Sequence, residues 1–198
     1  MFKTIKENST AEIIEKKSKF IANVFYVESR EEAENIINEV NRKYHDARHN
    51  CYAYRVVKEE GIIEKASDDG EPSGTAGGPM LNILSKNNIS NVLVIVTRYF
   101  GGILLGTGGL VKAYSSACSL GLEKAGRIEK NIADLYRIEI SYTDIDKFKY
   151  FAKNNKIIIL NEEYLESVIL EIALKEKDLL KNIDINVNKK EFIKKIYV

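Results

Sequence analysis

A chain of 198 residues exceeds the usual single domain of about 100–150, so it holds one large domain or two small ones. With 44% apolar and 30% charged residues it can bury a core and is excluded from the disordered class. A formal net charge of +1 excludes a global field toward nucleic acid or an anionic membrane, so any such binding must come from a local patch.

From Met1 to Lys19 the chain is interrupted by Lys3, Lys6, Glu7, Glu12 and Glu15, which leaves no apolar run for a signal peptide or membrane span. Cys51 and Cys118 lie far apart without CxxC spacing and read as reduced thiols, so the expected location is cytoplasmic. Lys19 to Val27 is rich in Phe, Ile, Val and Tyr and predicts a strand. Ser29 and Glu32 then have capping-box spacing. Ala33, Ile36, Ile37, Val40 and Tyr44 give the helix that follows one apolar face. Cys51 to Val57 predicts a strand, with Gly61 to Ala66 as its hairpin partner. After a polar loop and a short helix around Met80 to Lys86 comes Val92 to Thr97, a β-branched run of the kind buried on both faces. Gly109 to Ala125 predicts a helix ended by Gly126.

Beyond Lys130 there are no glycines, and charged and apolar residues alternate, which marks a domain boundary. Strand Leu135 to Tyr142 leads to a helix opened by Thr143 and Asp146, with Ile145, Phe148 and Phe151 on one face. Strands at Ile157 to Tyr164 and Val168 to Lys175, a short helix near Asp178 to Ile183 and a last strand at Phe192 to Val198 complete a βαββαβ order. That order is the ferredoxin-like arrangement. The expected fold is therefore α+β in two domains, 1–130 and 131–198.

The chemistry-bearing loops lie in the first of these. Between Pro72 and Leu122 there is no Asp or Glu, while Lys86, Arg98 and Lys112 are present together with nine of the twelve glycines. Glycine lets backbone N–H groups converge on an oxyanion, and a helix starting near Gly108 adds its own unpaired N–H groups. The run from Arg98 to Gly109 is neither a P-loop, since no Gly-Lys-Ser/Thr ends it, nor the dinucleotide GxGxxG. Its glycines serve either an anion site or tight turns and close helix–sheet packing. In the preceding loop Asp68, Asp69 and Glu71 are candidate Mg²⁺ ligands, or turn formers that satisfy loop N–H groups. Between Arg42 and Arg55, His45, His49 and Cys51 supply at most three of the four ligands that zinc needs. Cys51 is a nucleophile only if His45 or His49 reaches it, and otherwise a small buried strand residue. Read as a surface, Arg42, Lys43, Arg48 and Arg55 interleave with Tyr44, Tyr52 and Tyr54, a mixture suited to phosphates and stacked bases.

His49-Asn50-Cys51 with Tyr52-Ala53-Tyr54-Arg55, the Ser67 to Pro79 loop, and Arg98-Tyr99-Phe100-Gly101-Gly102 followed by Leu105-Gly106 resemble the bacterial, YigZ-like branch of the IMPACT family. The specific motifs cover roughly Ser18 to Gly126; Leu135 to Val198 is similar to the family's small C-terminal domain by length and element order. The resemblance implies a first domain similar to the fold shared by a small-subunit ribosomal protein domain and domain IV of elongation factor G. It implies a second domain similar to domain V of that factor. Both relatives contact RNA. Eukaryotic members are linked to control of translation initiation under stress through an additional N-terminal domain, for which this chain is expected to have no room, so their partner is not carried over.

The expectation is a non-enzymatic cytoplasmic binding protein, an RNA- or ribosome-associated regulator of translation. Its binding residues are Arg98, Tyr99, Gly101, Gly102, Gly106, Thr107, Gly108, Gly109 and Lys112, with Arg48, His49 and Tyr52 as neighbours. No catalytic residue, cofactor, metal, membrane partner or DNA sequence specificity is assigned, and the oligomeric state is left open. The alternatives are an enzyme acting on a phosphorylated or acyl small molecule at the Asp68–Gly109 loops, and a purely structural or interaction protein.

Overall fold

The computed structural model describes residues 1–58, 61–175, 179–182 and 187–198. The chain divides into two compact units, Phe2–Glu129 and Lys130–Val198. In the first, the elements run β1 (Phe2–Ile5), β2 (Ser9–Glu15), β3 (Ser18–Tyr26), α1 (Arg30–Lys43), β4 (His49–Lys58), β5 (Gly61–Ser67), α2 (Gly77–Lys86), β6 (Val92–Tyr99), α3 (Gly106–Ala125) and β7 (Arg127–Lys130). Strands β2-β3-β6-β4-β5 form an antiparallel sheet in that spatial order, and β1 pairs with β7.

The sheet is covered on both faces, which is why β6 reads as an unbroken apolar run. Val92, Val94 and Val96 join Phe20, Ala22, Val24, Cys51 and Ala53 beneath α2 and α3. Leu93 and Ile95 face the other way and pack with Tyr54, Val56 and Ala33, Ile37 and Val40 of α1. Successive strand residues point to opposite faces, so parity alone assigns each side chain of β3, β4 and β6 to a layer.

The capping box of α1 is present with one displacement. Ser29 Oγ accepts from the Glu32 amide at 3.0 Å, but the Glu32 carboxylate reaches back to the Glu28 amide at 2.7 Å, one residue before the cap. Helix α3 begins at Gly106, three residues earlier than the sequence pattern predicts, because Gly106 takes φ +71° and turns the chain into the helix. Gly121 lets α3 lie on the sheet: a Cβ there would stand 2.8 Å from Val24 Cγ2.

Strands β1, β2 and β7 have no counterpart in the sequence reading. Strand β2 is joined to β3 by Lys16 and Lys17, both left-handed at φ 45° and 64°, a two-residue turn of the primed hairpin type made without the usual Asn or Gly.

The second unit contains β8 (Ile132–Ile140), α4 (Ile145–Asn154), β9 (Ile158–Tyr164), β10 (Val168–Leu174) and β11 (Val187–Tyr197), all strands antiparallel in the order β11-β8-β10-β9. Phe148 and Ala152 of α4 are buried against Tyr136, Ile138 and Ile140 of β8 and Val168, Leu170 and Ile172 of β10. Of the short helix expected at Asp178 to Ile183, a 3-10 turn is found at Leu179–Asn182; Asp178 and Ile183 lie outside the described residues. The last strand starts five residues earlier than expected, at Val187, in a lysine-rich stretch that edge position tolerates.

Left-handed backbone costs an ordinary residue about 1–2 kcal/mol. Replacing Lys16-Lys17 by Asn-Gly is expected to raise stability by about 1 kcal/mol, seen as a higher urea midpoint at unchanged m-value.

Candidate functional site

At the start of β4 and the end of β6, His49 and Arg98 are cross-strand partners on the face that carries α2 and α3. With Arg48, Phe100 and Leu104 they line a cleft of about 160 Å³. Arg98 is only 7% exposed and does not stand out into solvent. Its Nη1 donates to Glu71 Oε1 at 2.6 Å, and the Tyr114 hydroxyl of α3 donates to the same oxygen at 2.8 Å. The guanidinium carbon lies 5.5 Å from the Phe20 ring centroid and 5.6 Å from that of Phe100. Arg98 Nε is buried without a hydrogen-bond partner.

The acidic loop is held by its own backbone. Asp68 accepts from the amides of Gly74 (2.7 Å), Ala76 (2.9 Å) and Gly77 (2.8 Å), which places a carboxylate on the N-terminus of α2. Asp69 Oδ2 accepts from the Asn50 amide at 2.7 Å, and the Asp69 carbonyl lies 2.7 Å from His49 Nδ1. That carbonyl can only accept, so Nδ1 carries the proton and, in the neutral ring, Nε2 is left as an acceptor. The candidate metal ligands are thereby all engaged: Asp68 and Asp69 by amides, Glu71 by Arg98 and Tyr114. Among the described residues, no three His, Cys, Asp or Glu side chains converge as a metal-binding group.

The N-terminus of α3 differs. No side chain caps it, and Gly106, Thr107 and Gly108 are exposed. A Cβ would meet nothing within 4 Å at Gly106 or Gly108. Gly108 has neither a positive φ nor a tight contact to require it. It leaves the first turn of α3 bare.

Residues 16–122 match the Impact N-terminal domain, and residues 138–180 match a domain of unknown function, DUF1949. The chain belongs to the IMPACT family. It is 39% identical over 175 residues to IMPACT family member YvyE of Bacillus subtilis (strain 168), covering 88% of this chain and 80% of that one. With IMPACT family member YigZ of Escherichia coli (strain K12) it shares 35% identity over 160 residues, covering 80% and 78%. A solved structure, described as the crystal structure of an hypothetical protein, superposes with a TM-score of 0.66 at 31% identity, over 91% of this chain and 88% of that one.

In this IMPACT family chain the sequence-assigned residues separate into groups. Arg48, His49 and Arg98 share the cleft, beside the loop that carries Gly102, Gly106, Thr107 and Gly108. Lys112 is exposed on α3. Gly101 is a packing residue: its Cβ would fall 2.0 Å from the Lys17 carbonyl carbon, and its amide donates to Ser18 Oγ at 3.1 Å. Gly109 packs on the Leu105 side chain. Tyr52 and Tyr99 lie on the α1 face of the sheet and do not line this cleft. Tyr52 stacks on Tyr54 at 6.5 Å, and the Tyr99 hydroxyl donates to Asp46 Oδ1 at 2.8 Å. Tyr114, Phe20, Phe100 and Leu104 were not assigned from sequence, and Glu71 was read there as a metal ligand or turn former, not as the partner of Arg98. Glu71 and Tyr114 reach Arg98 only through the fold, but Phe100 and Leu104 sit within the glycine-rich motif as large apolar residues where a turn calls for polar ones.

The nucleophile reading of Cys51 fails on chemistry. Burial pushes the thiol up to about 12, and its Sγ–H donates to the Asp68 carbonyl at 2.9 Å. Burial likewise pushes Cys118 up to about 12. Both thiols should resist iodoacetamide at pH 8 in the folded protein and react on unfolding; rapid native alkylation of Cys51 would restore the nucleophile. Partial burial opposes ionisation of Asp68, but the three amide donors prevail and its pKa is lowered. Folded below unfolded, this pKa gives stability that is present above the unfolded value, about 3.9, and lost as pH falls through the folded one. Asp68→Asn should therefore cost about 1–2 kcal/mol at pH 7 by urea titration, with the difference from wild type shrinking below about pH 4.

Proposed function

We propose that the first domain binds the phosphate backbone of RNA, free or within the ribosome, and that the protein is a non-enzymatic cytoplasmic regulator of translation. The observation that carries this reading is the contrast between two helices with glycine-rich first turns. At α2 the anion is internal, the Asp68 carboxylate on three amides. At α3 no side chain caps the helix, Gly106, Thr107 and Gly108 are exposed, and no acidic residue lies in the first turn. Oriented amides plus the helix dipole make a phosphate site.

The surrounding charge supports it. Arg48 lines the cleft, Lys112 is exposed on the same helix, and exposed Lys16 and Lys17 form the turn on which Gly101 packs. Arg98 contributes little net charge, because Glu71 neutralises it; its part is to fix the loops. The family resemblance implies domains similar to a small-subunit ribosomal protein domain and to domains IV and V of elongation factor G, RNA-contacting folds, and that expectation favours the same reading by analogy. Among the described residues no helix is long and apolar enough to cross a membrane.

Filter binding of RNA and of ribosomes across a salt series tests the proposal. Wild-type affinity should fall steeply with salt. Arg48→Ala and Lys112→Ala should each weaken binding and flatten the log–log slope by about 0.7 for every single-strand phosphate that is no longer neutralised. Absence of association at low salt would overturn the reading.

A further inference from the structure

The cleft carries a feature that phosphate binding leaves unused. Phe100 is 53% exposed, Ile103 43% and Leu104 82%, three large apolar side chains on one short loop beside the bare turn of α3. Of these, Phe100 has a cation neighbour: the Arg98 guanidinium carbon lies 5.6 Å from its ring centroid and 5.5 Å from that of buried Phe20. Arg98 thus neighbours one buried ring and one exposed ring. Arg98 is itself more than nine-tenths buried, lines the cleft, and keeps Nε without a partner.

We propose that Phe100 is the stacking platform for one unpaired base of single-stranded RNA, with Leu104 closing the cleft beside it, while the α3 amides hold a phosphate of the same strand. The inference rests on the phosphate-binding reading above and adds the state of the strand. Charge complementarity selects the occupant. An apolar surface beside exposed Arg48 and the uncapped first turn of α3, which has no acidic residue, calls for a ligand that is flat and apolar at one end and anionic at the other. A nucleotide joins those two properties, and a base offers its face only when it is out of a duplex. The Arg98 guanidinium near Phe100 adds a cation–π attraction that favours one placement of the ring before the base arrives.

The chain has no tryptophan, so Phe100→Trp places a single tryptophan at the platform, excited at about 295 nm apart from the eleven tyrosines. Titrating that variant with a 12-residue oligo(U) should quench its emission, and a hairpin-capped RNA duplex of equal charge should leave it unchanged. Phe100→Ala should bind oligo(U) roughly ten-fold more weakly or worse, with an unchanged salt slope, since the substitution removes stacking and leaves every phosphate interaction in place. Unquenched emission, or Phe100→Ala binding at wild-type affinity, overturns the stacking proposal and leaves the phosphate reading standing. Failure of wild type to bind any RNA at low salt overturns both.

Discussion

The buried ion pair of Arg98 and Glu71 joins three segments that the chain order keeps apart: the end of β6, the acidic loop before α2, and α3 through the Tyr114 hydroxyl. Removing two charges from water costs several kcal/mol per ion, recovered only when geometry and further hydrogen bonds are good. Here both side chains are almost fully enclosed and a third donor shares the carboxylate. Deleting one partner would strand the other charge, at a cost of about 3–5 kcal/mol. The pair is thus a device for holding loops in place. It also decides the electrostatics of the cleft, because a neutralised arginine offers a dipole and stacking planes where a free one would offer net charge.

With Arg98 paired inside, attraction for an anion falls to the side chains and amides around it. The acidic loop is no competitor, since its carboxylates are spent on backbone amides and on Arg98. The loop that read as a possible metal site is the frame that aims its neighbour. Its burial of Cys51 against the Asp68 carbonyl follows from the same packing.

What sequence made legible was local. The β-branched run Val92–Thr97, the Ser29 cap and the periodicity of α1 each depend on residues within a turn or a strand of one another, and each element formed where its pattern lay. Strand β2 was hidden because its hairpin turn uses two left-handed lysines in place of Asn-Gly. The start of α3 was displaced because glycine signals a turn as readily as a helix N-terminus. Tyr52 and Tyr99 were grouped with His49 and Arg98 by proximity along the chain, although strand parity places them on opposite faces. Glu71 and Tyr114 carry no local mark of their role, since an ion pair spanning 27 positions, and a hydroxyl spanning 43, is written only in the fold.

On the proposed reading the site's parts imply a division of recognition. Backbone amides and an aromatic face discriminate neither sugar edge nor base edge, because every nucleotide has a phosphate and every base a π-face. The group able to read identity is His49 Nε2, on a ring held at the cleft by the Asp69 carbonyl of the acidic loop. Selectivity in such a site comes first from the state of the strand, single or paired, and only then from sequence. An exposed aromatic ring beside an uncapped helix turn favours that order of preference, because a base offers its face only when it is unpaired.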